Sequence, residues 1–106
     1  MNPIQRKDLI LVVDDSADSL GMIHHALEQA GLTALVAMGG AQAISIAEKM
    51  TPDLILMDAL MPGMDGFETC RHLKLHTELA SVPIIFMTGL TDTEDVVRGL
   101  EAGGVD

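Results

Sequence analysis

Polar side chains stand directly after three short apolar runs of the sequence. They are three carboxylates and one hydroxyl, contributed by Asp14, Asp15, Asp58 and Thr88. If the runs are parallel strands of one sheet, their carboxyl ends share one edge, and these groups converge there. Crowded carboxylates raise one another's pKa, and moving each charged group out of water costs free energy unless a cation binds among them. The pattern therefore predicts a cation site.

The oxygen ligands indicate which cation this would be. Short acidic side chains suit a hard ion, and a half-open site that keeps water ligands suits Mg²⁺ better than a closed calcium cage. A simpler interpretation exists for the first pair, since Asp14 or Asp15 alone would serve as a helix N-cap. That role fits Asp58 poorly, because a loop containing residues 61–63, Met-Pro-Gly, precedes the next helix.

The apolar runs predict strands, and the amphipathic stretches between them predict helices. Strands are expected at 9–13, 33–38, 54–57 and 82–87. Helices are expected at 16–30, with Gly31 as the stop, at 43–50, from Asp65-Gly66 through Leu73, and at 91–102. Alternating strands and helices require right-handed crossovers onto a parallel sheet. The expected fold class is therefore α/β, a doubly wound parallel sheet with helices on both faces.

Composition limits the functions that this sequence can serve. The chain has 106 residues, 48% of them apolar, which suits one domain with a core. Its formal charge of -10 repels phosphate backbones and anionic lipid headgroups, so we expect neither nucleic acid nor membrane binding by this segment. A single cysteine and an opening without a secretory pattern lead us to expect a cytoplasmic, reduced, soluble protein.

Three motifs together resemble the receiver (CheY-like) domain of bacterial two-component response regulators. They are LVVDDS at 11–16, DALMPGMDG at 58–66 and MTG at 87–89. The resemblance covers about 8–106, which we take as the domain, with 1–7 as an N-terminal extension. It implies a five-stranded sheet of flavodoxin-like order in a three-layer αβα sandwich. It also implies that Asp58 accepts a phosphoryl group from a histidine kinase.

The resemblance also implies a set of metal ligands. Asp15 and Asp58 would bind Mg²⁺ directly, and Asp14 would act through a water molecule. The backbone carbonyl of Leu60 would complete the ligands that the protein supplies. The cation would offset negative charge while the aspartate attacks phosphorus in line.

Residues around the acceptor also receive roles through the resemblance. The hydroxyl of Thr88 would hydrogen-bond a phosphoryl oxygen, while Pro62 and Gly66 would shape the loop beside Asp58. The family's fifth strand normally carries a lysine that pairs with the phosphoryl group, after an aromatic switch residue. Neither occurs before the end of this sequence, and Arg98, in mid-helix, does not replace the lysine. We therefore expect the last strand and helix to belong to a longer polypeptide.

Other reactive residue types have simpler interpretations. The four histidines lack an accompanying carboxylate or cysteine cluster, so we expect surface positions for them. With no tryptophan or tyrosine in the chain, the 8 methionines are expected to fill the core. Cys70 falls on the apolar face of its helix, which predicts a small core residue rather than a reactive thiol.

The leading function is a phosphoacceptor signalling domain of a phosphorelay that promotes its own phosphorylation and dephosphorylation without turning over a separate substrate. Its partner would be a sensor histidine kinase or phosphotransfer protein. Its output, such as transcription regulation, would use a domain outside this sequence. Whether the domain forms a homodimer is left undecided by the sequence. One alternative is a pseudo-receiver that binds partners without phosphate. Another is a Mg²⁺-dependent phosphohydrolase, although that class carries D-x-D after its first strand, and this sequence has VVDDS.

Overall fold

The computed structural model describes residues 8–87. Within that range the elements in chain order are β1 (Leu9–Val13), α1 (Ala17–Gln29), β2 (Thr33–Ala37), α2 (Gly40–Lys49), β3 (Leu54–Met57), α3 (Gly66–Lys74) and β4 (Ile84–Phe86). Strands and helices alternate as the sequence predicts. The predicted helix at 91–102 and the predicted site residue Thr88 lie outside the described residues.

The four strands form one parallel sheet in the order β2-β1-β3-β4. The chain moves from β1 to one side for β2 and to the other side for β3 and β4, so the sheet is doubly wound. Val13 at the end of β1 pairs with Ala37 of β2 and with Met57 of β3. The residues after Val13 and Met57 therefore lie side by side at the carboxyl edge, where the strand order reverses.

Helices cover both faces of the sheet. Alternate side chains of β1 point to opposite faces, so Ile10 and Val12 pack beneath α1, whereas Leu11 and Val13 pack beneath α2 and α3. Burial on both sides explains why β1 is a continuous apolar run rather than an alternating one. The larger of the two clusters includes Leu11, Val13, Ala43, Ala47, Ile55, Met57, Phe67, Cys70, Leu73 and Ile84. No helix within 8–87 is long and apolar enough to cross a membrane.

Side-chain caps define where two of the helices begin. The hydroxyl of Ser16 accepts a hydrogen bond from the backbone N–H of Ser19, which makes Ser16 the N-cap of α1. Asp14 and Asp15 are therefore not needed in that role. Asp65 caps α3 by accepting from the N–H of Glu68 at 2.9 Å. A cap of this kind stabilises a helix by about 1 kcal/mol.

The methionines are distributed differently from the sequence prediction. Met57 and Met61 are buried in the core as expected. Met22, Met38 and Met50, however, are 75%, 51% and 51% exposed, so the prediction that methionines fill the core is wrong for these three. Met22 lies on the outer face of α1, and the other two follow the ends of β2 and α2. None of these three side chains belongs to either core cluster of the described residues.

Candidate functional site

Three carboxylates meet at the carboxyl edge of the sheet. Asp14 and Asp15 follow β1, Asp58 follows β3, and one carboxylate oxygen from each lies within 4.8 Å of the others. The side-by-side pairing of β1 and β3 accounts for this, because it places the two strand ends at the same level. Asp14 and Asp58 are buried, each 8% exposed, whereas Asp15 is exposed. The site is therefore closed on the sheet side and open to solvent on the other.

Backbone hydrogen bonds hold the two buried aspartates in register beyond the strands. The N–H of Asp58 donates to the carbonyl of Val13 at 2.8 Å, and the N–H of Asp14 donates to the carbonyl of Ala37 at 3.1 Å. Each carboxylate also accepts a bond from the residue two positions later, Asp14 from Ser16 at 3.0 Å and Asp58 from Leu60 at 3.2 Å. These local bonds fix the side chains relative to the backbone.

The electrostatics of the cluster favour a cation. Burial raises the pKa of the Asp14 carboxyl, and the nearby charges of Asp58 and Asp15 raise it further. The hydrogen bond from the N–H of Ser16 acts in the opposite direction and lowers this pKa. A divalent cation among the three carboxylates would relieve both the desolvation and the repulsion. The donor set, oxygen atoms with one open side, fits Mg²⁺.

The loop that follows Asp58 is folded closely against the backbone of that residue. The N–H of Gly66 donates to the carbonyl of Ala59 at 2.9 Å, which closes the loop between β3 and α3. A Cβ atom at Gly66 would lie 2.2 Å from the carbonyl oxygen of Asp58 and 2.8 Å from the Cα of Ala59. Only glycine permits this approach. Gly63, inside the loop, has a φ of +74°, which also favours glycine.

The remaining reactive residues lie away from this cluster. His24, His25 and His72 are exposed, as predicted, and the half-buried His76 lies 3.3 Å from a carboxylate oxygen of Glu48. Within 8–87, the acidic cluster described above is the one group of carboxylate, histidine or cysteine side chains arranged to hold a metal ion.

Cys70 is fully buried in the core, which confirms its predicted position. Burial raises the pKa of its thiol to about 11, so the nucleophilic thiolate is scarce at neutral pH.

Two residues near the site were missed by sequence reasoning. Thr69 is fully buried on α3, and Gly40 is the first residue of α2; the two are in contact. The available signal was the position of Thr69, four residues after the capping Asp65, from which a threonine hydroxyl reaches the backbone carbonyl one turn earlier. Nothing in the sequence indicates its contact with α2.

A doubly wound parallel sheet with an acidic cluster at its switch point is the arrangement found in the CheY-like class of signalling domains. The family model for the response regulator receiver domain matches residues 10–106. The chain belongs to this family. Receiver domains are signalling domains that generally bind Mg²⁺ at an acidic pocket, and Asp14, Asp15 and Asp58 form an acidic cluster in this chain.

Individual relatives agree with this assignment. The DNA-binding response regulator MtrA of Mycobacterium tuberculosis H37Rv is 42% identical over 97 residues, which cover 92% of this chain and 41% of MtrA. The response regulator PleD of Caulobacter vibrioides is 38% identical, with 92% and 21% covered. The chain thus spans about two fifths of the length of MtrA and about one fifth of PleD.

Solved structures show the same fold. The chemotaxis protein CheY4 of Vibrio cholerae superposes with a TM-score of 0.90 at 31% identity, covering 93% of this chain and 82% of CheY4. The receiver domain of a signal transduction histidine kinase from Syntrophus aciditrophicus gives a TM-score of 0.82 at 40% identity, with 92% and 74% covered.

Proposed function

We propose that Asp58 accepts a phosphoryl group from a phosphohistidine of a sensor histidine kinase or phosphotransfer protein, and that Mg²⁺ assists the transfer. The observation that carries this proposal is the approach of three carboxylates within 4.8 Å at the carboxyl edge of the sheet. Asp15 and Asp58 would bind the cation directly, Asp14 would act through water, and the carbonyl of Leu60 would complete the ligands.

The chemistry of the step is a transfer from nitrogen to oxygen. A carboxylate oxygen of Asp58 attacks phosphorus in line, the P–N bond to the donor imidazole breaks, and that nitrogen keeps the electron pair. The bound cation supplies positive charge that offsets the charge on both reactants. The N–H of Leu60 holds one oxygen of Asp58 by a hydrogen bond of 3.2 Å and so limits rotation of the nucleophile. Thr88, outside the described residues, would hydrogen-bond a phosphoryl oxygen.

The proposal extends to partners and output. MtrA is named as a DNA-binding response regulator and PleD as a response regulator, and both are much longer than this chain. We propose that phosphorylation here switches an output carried elsewhere in the polypeptide, including regulation of transcription. Because the charge of -10 repels phosphate backbones, we do not expect this segment to contact nucleic acid directly. We also propose that the domain acts in the cytoplasm and regulates without turning over a separate substrate. The proposal does not specify whether it forms a homodimer.

The experiment is acceptor labelling with a small phosphodonor, with and without Mg²⁺. We expect a Mg²⁺-dependent adduct of one phosphoryl group, detected by intact mass, that is absent in Asp58→Asn. The matched control is Asp18→Asn, which makes the same change at an exposed site in the first turn of α1 and should label normally.

Two other results would identify a different function. No adduct on the folded chain would indicate a pseudo-receiver that binds partners independently of phosphate. Continuous hydrolysis of phosphate esters would indicate a phosphohydrolase.

A further inference from the structure

The first turn of α2 and the first turn of α3 are in direct contact, next to the loop that joins β3 to α3. Thr69 on α3 is 0% exposed, and its hydroxyl donates to the carbonyl of Asp65 at 2.8 Å. A Cβ atom at Gly40 would lie 2.2 Å from Oγ1 of Thr69 and 2.9 Å from the sulfur of Met64. The backbone of α2 therefore lies against this hydroxyl with no room for one additional carbon atom.

The same turn of α3 also packs, on its opposite side, against the backbone of Asp58. Gly66, one residue after the capping Asp65, donates its N–H to the carbonyl of Ala59, and its Cα faces the carbonyl oxygen of Asp58. A shift of this turn would move the backbone of Asp58. It would also disturb the bond from the N–H of Leu60 to the carboxylate of Asp58. Packed interiors transmit small displacements in this way because they have few voids to absorb them.

We propose that Thr69 is a positioning residue for the acceptor site, with Gly40 as the surface on which it rests. Thr69 would act through the first turn of α3, which sets the backbone of Asp58 and the orientation of its carboxylate. The inference rests on the proposed function, since it concerns how well that site binds Mg²⁺ and takes a phosphoryl group. Its physical content is steric: the gap between α2 and α3 holds one atom of the size of Oγ1 of Thr69, and adding or removing an atom there displaces the first turn of α3.

The steric logic gives a compensating pair of substitutions. Gly40→Ala adds a carbon atom 2.2 Å from Oγ1 of Thr69, too close for both atoms to keep their positions, and Thr69→Ala removes that oxygen and leaves a gap. Combining the two removes the 2.2 Å clash and fills the gap with the new carbon, and the remaining 2.9 Å approach is to the sulfur of the flexible Met64 side chain. The double variant should therefore resemble the wild type more than either single variant does. Thr69→Ser retains the oxygen. It should behave as wild type alone and should not rescue Gly40→Ala.

The readout is the Mg²⁺ concentration that gives half-maximal labelling of Asp58 by a small phosphodonor. We expect it to rise roughly tenfold in Gly40→Ala and by less in Thr69→Ala, because changing a group bonded directly to a metal ligand costs about 10–100-fold and Thr69 acts one step further away. Thermal unfolding without Mg²⁺ measures the stability of each variant separately. Since Gly40 does not have a positive φ and alanine favours helices, the backbone itself does not oppose the substitution.

Gly21→Ala in α1 is the matched control, because a Cβ atom at Gly21 has no neighbour within 4 Å. It should label as wild type does. The inference is overturned if Gly40→Ala has the wild-type Mg²⁺ requirement, or if Thr69→Ala and Thr69→Ser rescue it equally. If Gly40→Ala does not fold, the comparison of Thr69→Ala with Thr69→Ser decides, and equal Mg²⁺ requirements overturn the inference. Failure of the wild type itself to label at Asp58 would instead overturn the proposed function.

Discussion

Replacing Asp14 by asparagine should make the fold more stable while weakening the proposed cation site. Asp14 and Asp58 are both buried, and their carboxylate oxygens approach within 4.8 Å. At an effective dielectric constant of about 20, two unit charges at this separation repel by roughly 3.5 kcal/mol, and in bulk water by about 1 kcal/mol. Asparagine keeps the oxygen that accepts from Ser16 and adds an amide N–H that can donate to Asp58.

We therefore expect the free energy of unfolding of Asp14→Asn without Mg²⁺ at pH 7 to rise by about 1–2 kcal/mol. In a domain of this size that corresponds to a rise in Tm of roughly 5–15 °C. The assay is thermal unfolding followed by circular dichroism in a chelator, repeated with Mg²⁺. The cation should stabilise the wild type, by about 2.7 kcal/mol at a hundredfold excess over Kd, and the variant less.

The pH dependence has a definite sign. The pKa of Asp14 is raised in the folded state above its ordinary value of 3.8, so the folded chain binds this proton more tightly than the unfolded chain does. The contribution of this group to stability is therefore most favourable below pH 3.8 and is lost as the pH rises through the folded pKa. The stability advantage of Asp14→Asn should grow over the same interval.

The control for this variant is Asp18→Asn, which removes an exposed carboxylate from the first turn of α1, where the helix dipole favours it. Its stability should fall slightly rather than rise. If Asp14→Asn is no more stable than the wild type at pH 7 in chelator, the assignment of unfavourable repulsion to this cluster is incorrect.

Three further changes test the structure around the site. Gly66→Ala places a Cβ atom 2.2 Å from the carbonyl oxygen of Asp58 and should lower the free energy of unfolding, measured in urea, by about 1–3 kcal/mol. Gly21→Ala should not lower it, and equal urea midpoints for the two variants would contradict the close packing at Gly66. Lys74→Met removes two hydrogen bonds from the ammonium group to backbone carbonyls after α3 and should destabilise by about 1–3 kcal/mol, and an unchanged Tm would refute their contribution. The thiol of Cys70, with its pKa raised to about 11, should react with a disulfide reagent only as the chain unfolds; rapid native labelling would show that it is accessible.

Local pattern was enough to predict the elements. The run LILVV predicts a strand with the observed bounds Leu9–Val13, and LILM does the same for Leu54–Met57. A short, continuous apolar run between polar residues is typical of a strand that is buried on both faces. Gly31 ends α1 with a φ of +86°, as a glycine at that position predicts. Proximity of the carboxylates was also predictable, since parallel strands bring their carboxyl ends to one edge.

The tertiary structure decided what depends on contacts between distant segments. The sequence left Asp14 open to the role of N-cap, and only the pairing of β1 with β3 places it beside Asp58. Likewise, the fit between Gly40 and Thr69 joins residues 29 positions apart on different helices. Periodicity reports which face of an element is apolar, but it does not report which atom of another element that face will meet. Close contacts at the site therefore follow from the packing of α2 and α3 and not from either segment alone.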